Sequence, residues 1–65
     1  MNISIRDHIK KNFKNSSIQE LENSIIESIN SNDEVVLPGL GVLFEILWKN
    51  TDDKNNILNT IFNNL

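Results

Sequence analysis

The stretch LPGLGVLFEILW, residues 37–48, contains one ionisable side chain, Glu45, in a chain otherwise rich in Asn and charge. As a strand it has no useful alternation, since apolar residues occupy both sides. As a helix, its large apolar residues lie three and four positions apart, and Glu45 precedes Lys49 by one turn, the order that favours an ion pair. We therefore predict a helix over 39–50. Because it is apolar on nearly every side, we expect it to be the buried centre of a small helical domain.

The residues around Pro38 predict how this helix begins. Proline suits the first turn of a helix, and it disfavours helical geometry in the residue before it, Leu37. We expect a short extended connector around 34–37, with strand-like pairing as an alternative. Gly39 and Gly41 are expected to allow a tight turn after the proline and close packing on a neighbouring helix. They do not form a phosphate loop, because its third glycine, Lys and Ser/Thr are missing.

Three more apolar stripes of helical period predict three more helices. The stripes are Ile5, Ile9 and Phe13 in the first, Ile18, Leu21, Ile25 and Ile29 in the second, and Leu58, Ile61, Phe62 and Leu65 in the last. The first helix is predicted to run from 4 to 14. Ser4 followed by Asp7 has the spacing of an N-terminal capping pair.

Polar residues mark the ends of the other two helices. Ser17 and Glu20 form a capping box, in which the hydroxyl accepts the Glu20 amide and the carboxylate reaches back. Asn32 can adopt the left-handed conformation common at helix C-termini. Thr51 is the predicted capping hydroxyl of the last helix, with two carboxylates at 52–53 beside the positive end of its dipole.

Together these patterns predict an all-α protein: one domain over 1–65, with about four short helices. A chain of this size buries only about 60% of its unfolded surface, and it has no Cys to form disulfides. Self-association would cover the apolar surface that remains. The expected self-association face, on the third and fourth helices, consists of Leu40, Phe44, Leu47, Trp48 and Phe62.

The titratable residues do not form a recognisable reaction centre. His8 is the only histidine, and Ser4, one turn away, lacks an orienting acid. We interpret the main carboxylates as solvated: Glu20, Glu22 and Glu27 on the second helix, and Asp52 and Asp53 at a helix start. We therefore expect no catalytic, cofactor or metal site, no small-molecule substrate and no enzymatic activity.

Four of the six basic residues lie on the first helix: Arg6, Lys10, Lys11 and Lys14. A basic stripe can contact DNA or RNA phosphates even when the net charge is -3. The competing interpretations are that this stripe pairs with the acidic face of the second helix or faces water. The start, MNISIRDHIKKNF, mixes charges with apolar residues and is not a signal peptide. No apolar run approaches the ~20 residues of a membrane span, so we expect an intracellular protein.

The core LPGLGVLFE, residues 37–45, with Trp48-Lys49-Asn50 behind it, resembles the small, acid-soluble spore protein I family. The likeness covers nearly the whole chain. The other matching residues are Arg6, Ile9 and Asn12 in the first helix, and Glu20-Leu21-Glu22, Ile25 and Ile29 in the second. The chain departs from the family where Asn32 replaces an expected Gly, where 35–36 are both Val, and where terminal lysines are missing.

The resemblance implies synthesis in the forespore cytoplasm, storage in the spore core and a role in sporulation, without an established biochemical activity. Our first interpretation is a non-enzymatic structural or interaction protein that binds itself or another spore-core protein. The alternative is a nucleic-acid-binding accessory protein that uses the basic helix. A weaker likeness to the bacterial histone-like DNA-binding fold would count only if 42–48 formed a strand.

Overall fold

The computed structural model describes residues 4–65, which form four α-helices and one short 3-10 turn. The elements are α1 (Ile5–Lys14), α2 (Ile18–Ser31), the 3-10 turn (Glu34–Val36), α3 (Leu37–Asn50) and α4 (Lys54–Phe62). These residues contain no strand, which confirms the all-α prediction and removes the likeness to the histone-like fold. The predicted single domain also includes residues 1–3, which lie outside the described residues.

The start and end of α2 confirm their predicted signals. The Ser17 hydroxyl accepts the backbone N–H of Glu20 at 3.1 Å and donates to the Glu20 carboxylate at 3.3 Å. Asn32 ends the helix with φ 54° and ψ 20°, in the left-handed region. Local polar chemistry is therefore sufficient to define both ends of this helix.

The first and last helices differ from prediction in their caps. Ser4 occupies the N-cap of α1 in extended geometry, but its side chain makes no capping hydrogen bond. Thr51 does not cap α4, because its hydroxyl donates to the Leu47 carbonyl at 2.6 Å, an end group of α3. The carboxylate of Asp53 caps α4 instead and accepts the N–H of Asn56 at 3.2 Å.

The extended connector expected around 34–37 is wrong, because the chain turns into α3 earlier. The Asp33 carboxylate accepts the N–H of Val35 at 3.0 Å and caps the 3-10 turn. Leu37 follows with φ -60° and ψ -42°, already helical in spite of the proline after it. Pro38 lies in the first turn of α3, where backbone amides have no intrahelical acceptor. The missing N–H of the proline therefore costs the helix no hydrogen bond.

The two glycines have a different setting from the one expected. Gly39 and Gly41 lie inside α3, and a Cβ atom added to either would meet nothing within 4 Å. They therefore make neither a tight turn nor a close approach to another helix, and that prediction is wrong. The neighbouring helices leave open space at both positions.

The packing of the helices is open. α3 packs mainly against α1 and the 3-10 turn. Val42, 5% exposed, is the one buried residue between positions 4 and 65, so the expected buried centre is smaller than predicted. The radius of gyration is 13.2 Å, whereas a compact chain of 65 residues has about 11 Å. The accessible surface is 5817 Å², whereas a folded monomer of 7.5 kDa exposes about 4,200 Å².

Candidate interaction surfaces

The first candidate surface is an exposed apolar area on α3 and α4, here called the α3–α4 face. It consists of Phe44, Leu47, Leu58, Ile61 and Phe62; Phe62 is 75% exposed, and the other four are 41–53% exposed. Two shallow depressions of about 360 and 350 Å³ lie on it, and Phe44 lines both. Aromatic and aliphatic side chains around shallow depressions are typical of protein–protein contact.

The predicted self-association residues are only partly brought together. Phe44 and Leu47 line one depression with Ile61, a residue that the sequence placed in the last stripe but not in the predicted face. Phe62 is exposed on the last turn of α4. Leu40 is half-buried and lines cavities toward α2 and the 3-10 turn, away from the α3–α4 face.

Trp48 joins α3 to α4 and is only half exposed. Its ring lies 6.1 Å from that of Phe44, and the Lys54 ammonium lies 5.6 Å from its ring centroid. Lys54 also donates to the Thr51 carbonyl at 3.0 Å, which fixes the ammonium at the start of α4. A cation over an indole face is attracted by the electron-rich ring. Trp48 therefore supports the α3–α4 face from one side.

An ion pair joins α1 to α3 across 39 positions of sequence. The Arg6 guanidinium donates from Nε at 2.9 Å to one Glu45 oxygen, and from Nη2 at 2.9 Å to the other. These hydrogen bonds raise the pKa of Arg6 and hold the pKa of the Glu45 carboxyl below its ordinary value. Glu45 therefore pairs with Arg6 and not with Lys49 as predicted, because the planar guanidinium donates to both carboxylate oxygens.

This ion pair removes Arg6 from the unpaired cations of the basic stripe. Arg6 pairs with α3 and not with the acidic face of α2, which was one of the two competing interpretations. Lys10 and Lys49 also lower the pKa of Glu45 by charge attraction, so cations from two helices surround one carboxylate. Sequence spacing could not reveal Glu45 as a partner, because only the tertiary fold brings it to α1.

None of the polar or charged side chains in the described residues is buried. His8 is exposed, and its Nε2 lies 3.3 Å from the side-chain nitrogen of Asn12. Within residues 4–65, no three His, Asp or Glu side chains are grouped so that they could hold a metal ion. In the same span, none of the helices has the length and apolar character needed to cross a membrane.

These observations define a small helical protein whose notable features are exposed apolar and charged surfaces. The family model for small, acid-soluble spore protein I matches residues 3–65. A protein of that name from Halalkalibacterium halodurans is 46% identical over 54 residues, 83% of this chain and 79% of that protein. Its counterpart from Bacillus mycoides is 40% identical over 63 residues, 94% of this chain and 91% of that protein. No solved structure matches the chain.

The chain therefore belongs to the small, acid-soluble spore protein I family. The resemblance drawn from the LPGLGVLFE core is confirmed, and with it the assignment to the spore proteins.

Proposed function

We propose that this protein is a non-enzymatic structural protein of the spore core that acts by self-association through the α3–α4 face. The observation that carries the proposal is the excess of accessible surface. The chain exposes roughly 1,600 Å² more than a folded monomer of its mass. A standard interface takes about 800 Å² from each partner, so association would cover a large part of this excess.

The character of the exposed residues supports the same proposal. Phe44 and Leu47 are 41% and 53% exposed, although they belong to the most apolar helix of the chain. Contiguous exposed apolar side chains are unusual on monomeric proteins and mark sites of contact. The family name places relatives among spore proteins, which supports a structural role and storage in the spore.

Analytical ultracentrifugation of the purified protein tests the proposal. In high salt, we expect a reversible monomer–dimer equilibrium at high micromolar concentration. The variant Phe44→Gln/Leu47→Gln should remain monomeric, because two amides would be desolvated at the centre of the interface. The matched control is Ile18→Gln/Val35→Gln, which changes two apolar residues exposed elsewhere, at 88% and 76%.

The control variant should dimerise like the wild type. A wild type that stays monomeric at the highest concentration would refute the proposal. Equal loss of dimer in both variants would also refute it, because the α3–α4 face would then have no special role.

The second candidate function is nucleic-acid binding by Lys10, Lys11 and Lys14 together with Arg6. One observation favours it: charge attraction from both Lys10 and Lys49 lowers the pKa of Glu45, so a cation of α3 acts on the same carboxylate as the basic stripe. Fluorescence anisotropy with labelled duplex DNA tests it. Binding should weaken steeply with added salt, because each phosphate contact releases a counterion.

The matched variants for this second test are Lys10→Gln/Lys14→Gln on α1, and Glu45→Gln, which frees the Arg6 fork for a phosphate. The first should weaken binding, and the second should strengthen it. No binding at low salt would exclude this function, and the self-association proposal would stand alone.

A further inference from the structure

The charges of this chain are strongly segregated along its sequence. No Lys or Arg occurs between residues 15 and 48. The acidic residues of α2 and the segment after it are Glu20, Glu22, Glu27, Asp33 and Glu34. By contrast, α1 carries four basic residues and a single acidic one, Asp7. One helix is therefore basic, and the next helix is acidic.

The two helices do not neutralise each other inside one molecule. Among the described residues, the one ion pair within 4 Å is that of Arg6 with Glu45, between α1 and α3. Glu22 instead accepts a hydrogen bond from Gln19 on its own helix, at 3.2 Å. The carboxylates of α2 and the lysines of α1 are exposed and free to meet charges on another molecule.

The positions of these side chains suit contact between helices. At about 100° per residue, Lys10, Lys11 and Lys14 fall within an arc of about 100° on α1. By the same count, Glu22 and Glu27 stand about 140° apart on α2. A basic face of this width can meet two carboxylates that border one helix surface.

The surface of α2 is also more apolar than a solvated helix needs. Ile18, Ile26 and Ile29 are 88%, 48% and 61% exposed. A shallow depression of about 370 Å³ on this helix is lined by Ile18, Leu21, Glu22, Ile25 and Ile26. Apolar contact beside the carboxylates would add to charge attraction, since isolated surface ion pairs contribute little.

We propose that the basic α1 of one copy docks on the acidic α2 of a second copy, and so joins the dimers formed by the α3–α4 face into larger assemblies. This inference rests on the proposed self-association and adds a second interface to it. The surface excess of roughly 1,600 Å² is about twice the ~800 Å² that one partner gives to a standard interface. Two interfaces per chain therefore match the area available.

The two proposed interfaces respond in opposite ways to salt concentration. The net charge is -3, so long-range repulsion between copies grows as salt is lowered. Association that strengthens at low salt must therefore come from local charge complementarity. Apolar contact through the α3–α4 face responds in the opposite way, because screening removes only the repulsion.

The first experiment is sedimentation of the wild type between about 20 mM and 500 mM salt, where the screening length falls from roughly 20 Å to 4 Å. We expect assemblies larger than the dimer at low salt and the dimer alone at high salt. A dimer at every salt concentration overturns the second interface and leaves the proposed function intact. A monomer at every salt concentration refutes the proposed function itself.

The second experiment uses charge reversal. Lys10→Glu/Lys14→Glu and Glu22→Lys/Glu27→Lys should each stop at the dimer at low salt, because like charges then face each other. Mixed in equal amounts, the two variants should form the larger assemblies again. Circular dichroism of each variant checks that its helix content is retained.

The matched control is Glu34→Lys/Asp52→Lys, two exposed positions outside α2 that give the same net charge as the α2 variant. Alone at low salt, it should form the larger assemblies as the wild type does, because it keeps both the basic α1 and the acidic α2. A control that stops at the dimer as the α2 variant does would overturn the proposed contact, because net charge alone would then explain the loss. Reversal variants that assemble like the wild type would overturn it as well.

Discussion

Replacing Val42 by alanine tests the small core of this fold most directly. Its side chain is 5% exposed, and no other residue between positions 4 and 65 is buried. The change removes two methyl groups, each worth about 0.8 kcal/mol of transfer free energy, and leaves a cavity that adds to the cost. We expect the free energy of unfolding to fall by about 2 kcal/mol.

This loss is large for such a chain. A single core in a domain of this size rarely supplies more than ~3–5 kcal/mol, so the variant should lose about half of its stability. At about 4–8 °C per kcal/mol, the midpoint of thermal unfolding should fall by roughly 10 °C. Urea and thermal unfolding followed by far-UV circular dichroism measure both quantities, at a protein concentration where sedimentation finds monomer.

The matched control is Val35→Ala, which removes the same two methyl groups from a side chain that is 76% exposed. Its backbone N–H keeps the hydrogen bond to Asp33, so the cap of the 3-10 turn is unchanged. We expect a loss of less than about 0.5 kcal/mol. Equal losses at the two positions would refute the packing of α3 described above.

Four further substitutions probe local features. Gly41→Ala should stabilise the protein by about 0.5–1 kcal/mol, because a helical glycine with open space around it gains a better helix former; urea unfolding measures this. Ser17→Ala should cost about 1 kcal/mol in the same assay, because its hydroxyl caps α2, whereas Ser4→Ala should cost much less. Glu45→Gln should destabilise the protein at neutral pH and progressively less as the pH falls. The pKa of Glu45 is lowered by the hydrogen bonds from Arg6, so its contribution is complete above the ordinary value of 4.5 and is lost as the pH falls through the lowered pKa.

For each of these predictions, one experimental outcome would contradict it. Destabilisation by Gly41→Ala would mean that another part of the molecule occupies the space beside α3. Equal effects of the two serine substitutions would remove the distinction between their caps. A constant difference between wild type and Glu45→Gln from neutral pH to about pH 3 would exclude an ionic contribution from the Arg6 contact.

Local chemistry explains where prediction succeeded and where it did not. The capping box of Ser17 and Glu20 involves neighbouring residues, so the sequence was sufficient to place it. Thr51 also looked like a cap, but the same hydroxyl can bond to the carbonyl one turn before it. Which bond forms depends on the path of the chain between α3 and α4, and here Asp53 was available to cap α4.

The apolar residues of the α3–α4 face also show what the sequence could predict and what it could not. Helical period placed Phe44, Leu47 and Ile61 on stripes, and each stripe is indeed helical. It could not show which stripe residues are covered by a neighbouring helix. Leu40 turned toward α2 and the 3-10 turn, whereas Ile61 joined the α3–α4 face.

The sequence by itself determined the all-α class, the four helices and the family, because periodicity, caps and the LPGLGVLFE core depend on residues close together in the chain. Only the tertiary structure decided that Arg6 reaches Glu45, that Val42 is buried and that the α3–α4 face stays open. The physical reason is that burial and charge pairing depend on how separate helices meet. In a chain with so small a core, that meeting leaves much of its apolar surface exposed to solvent.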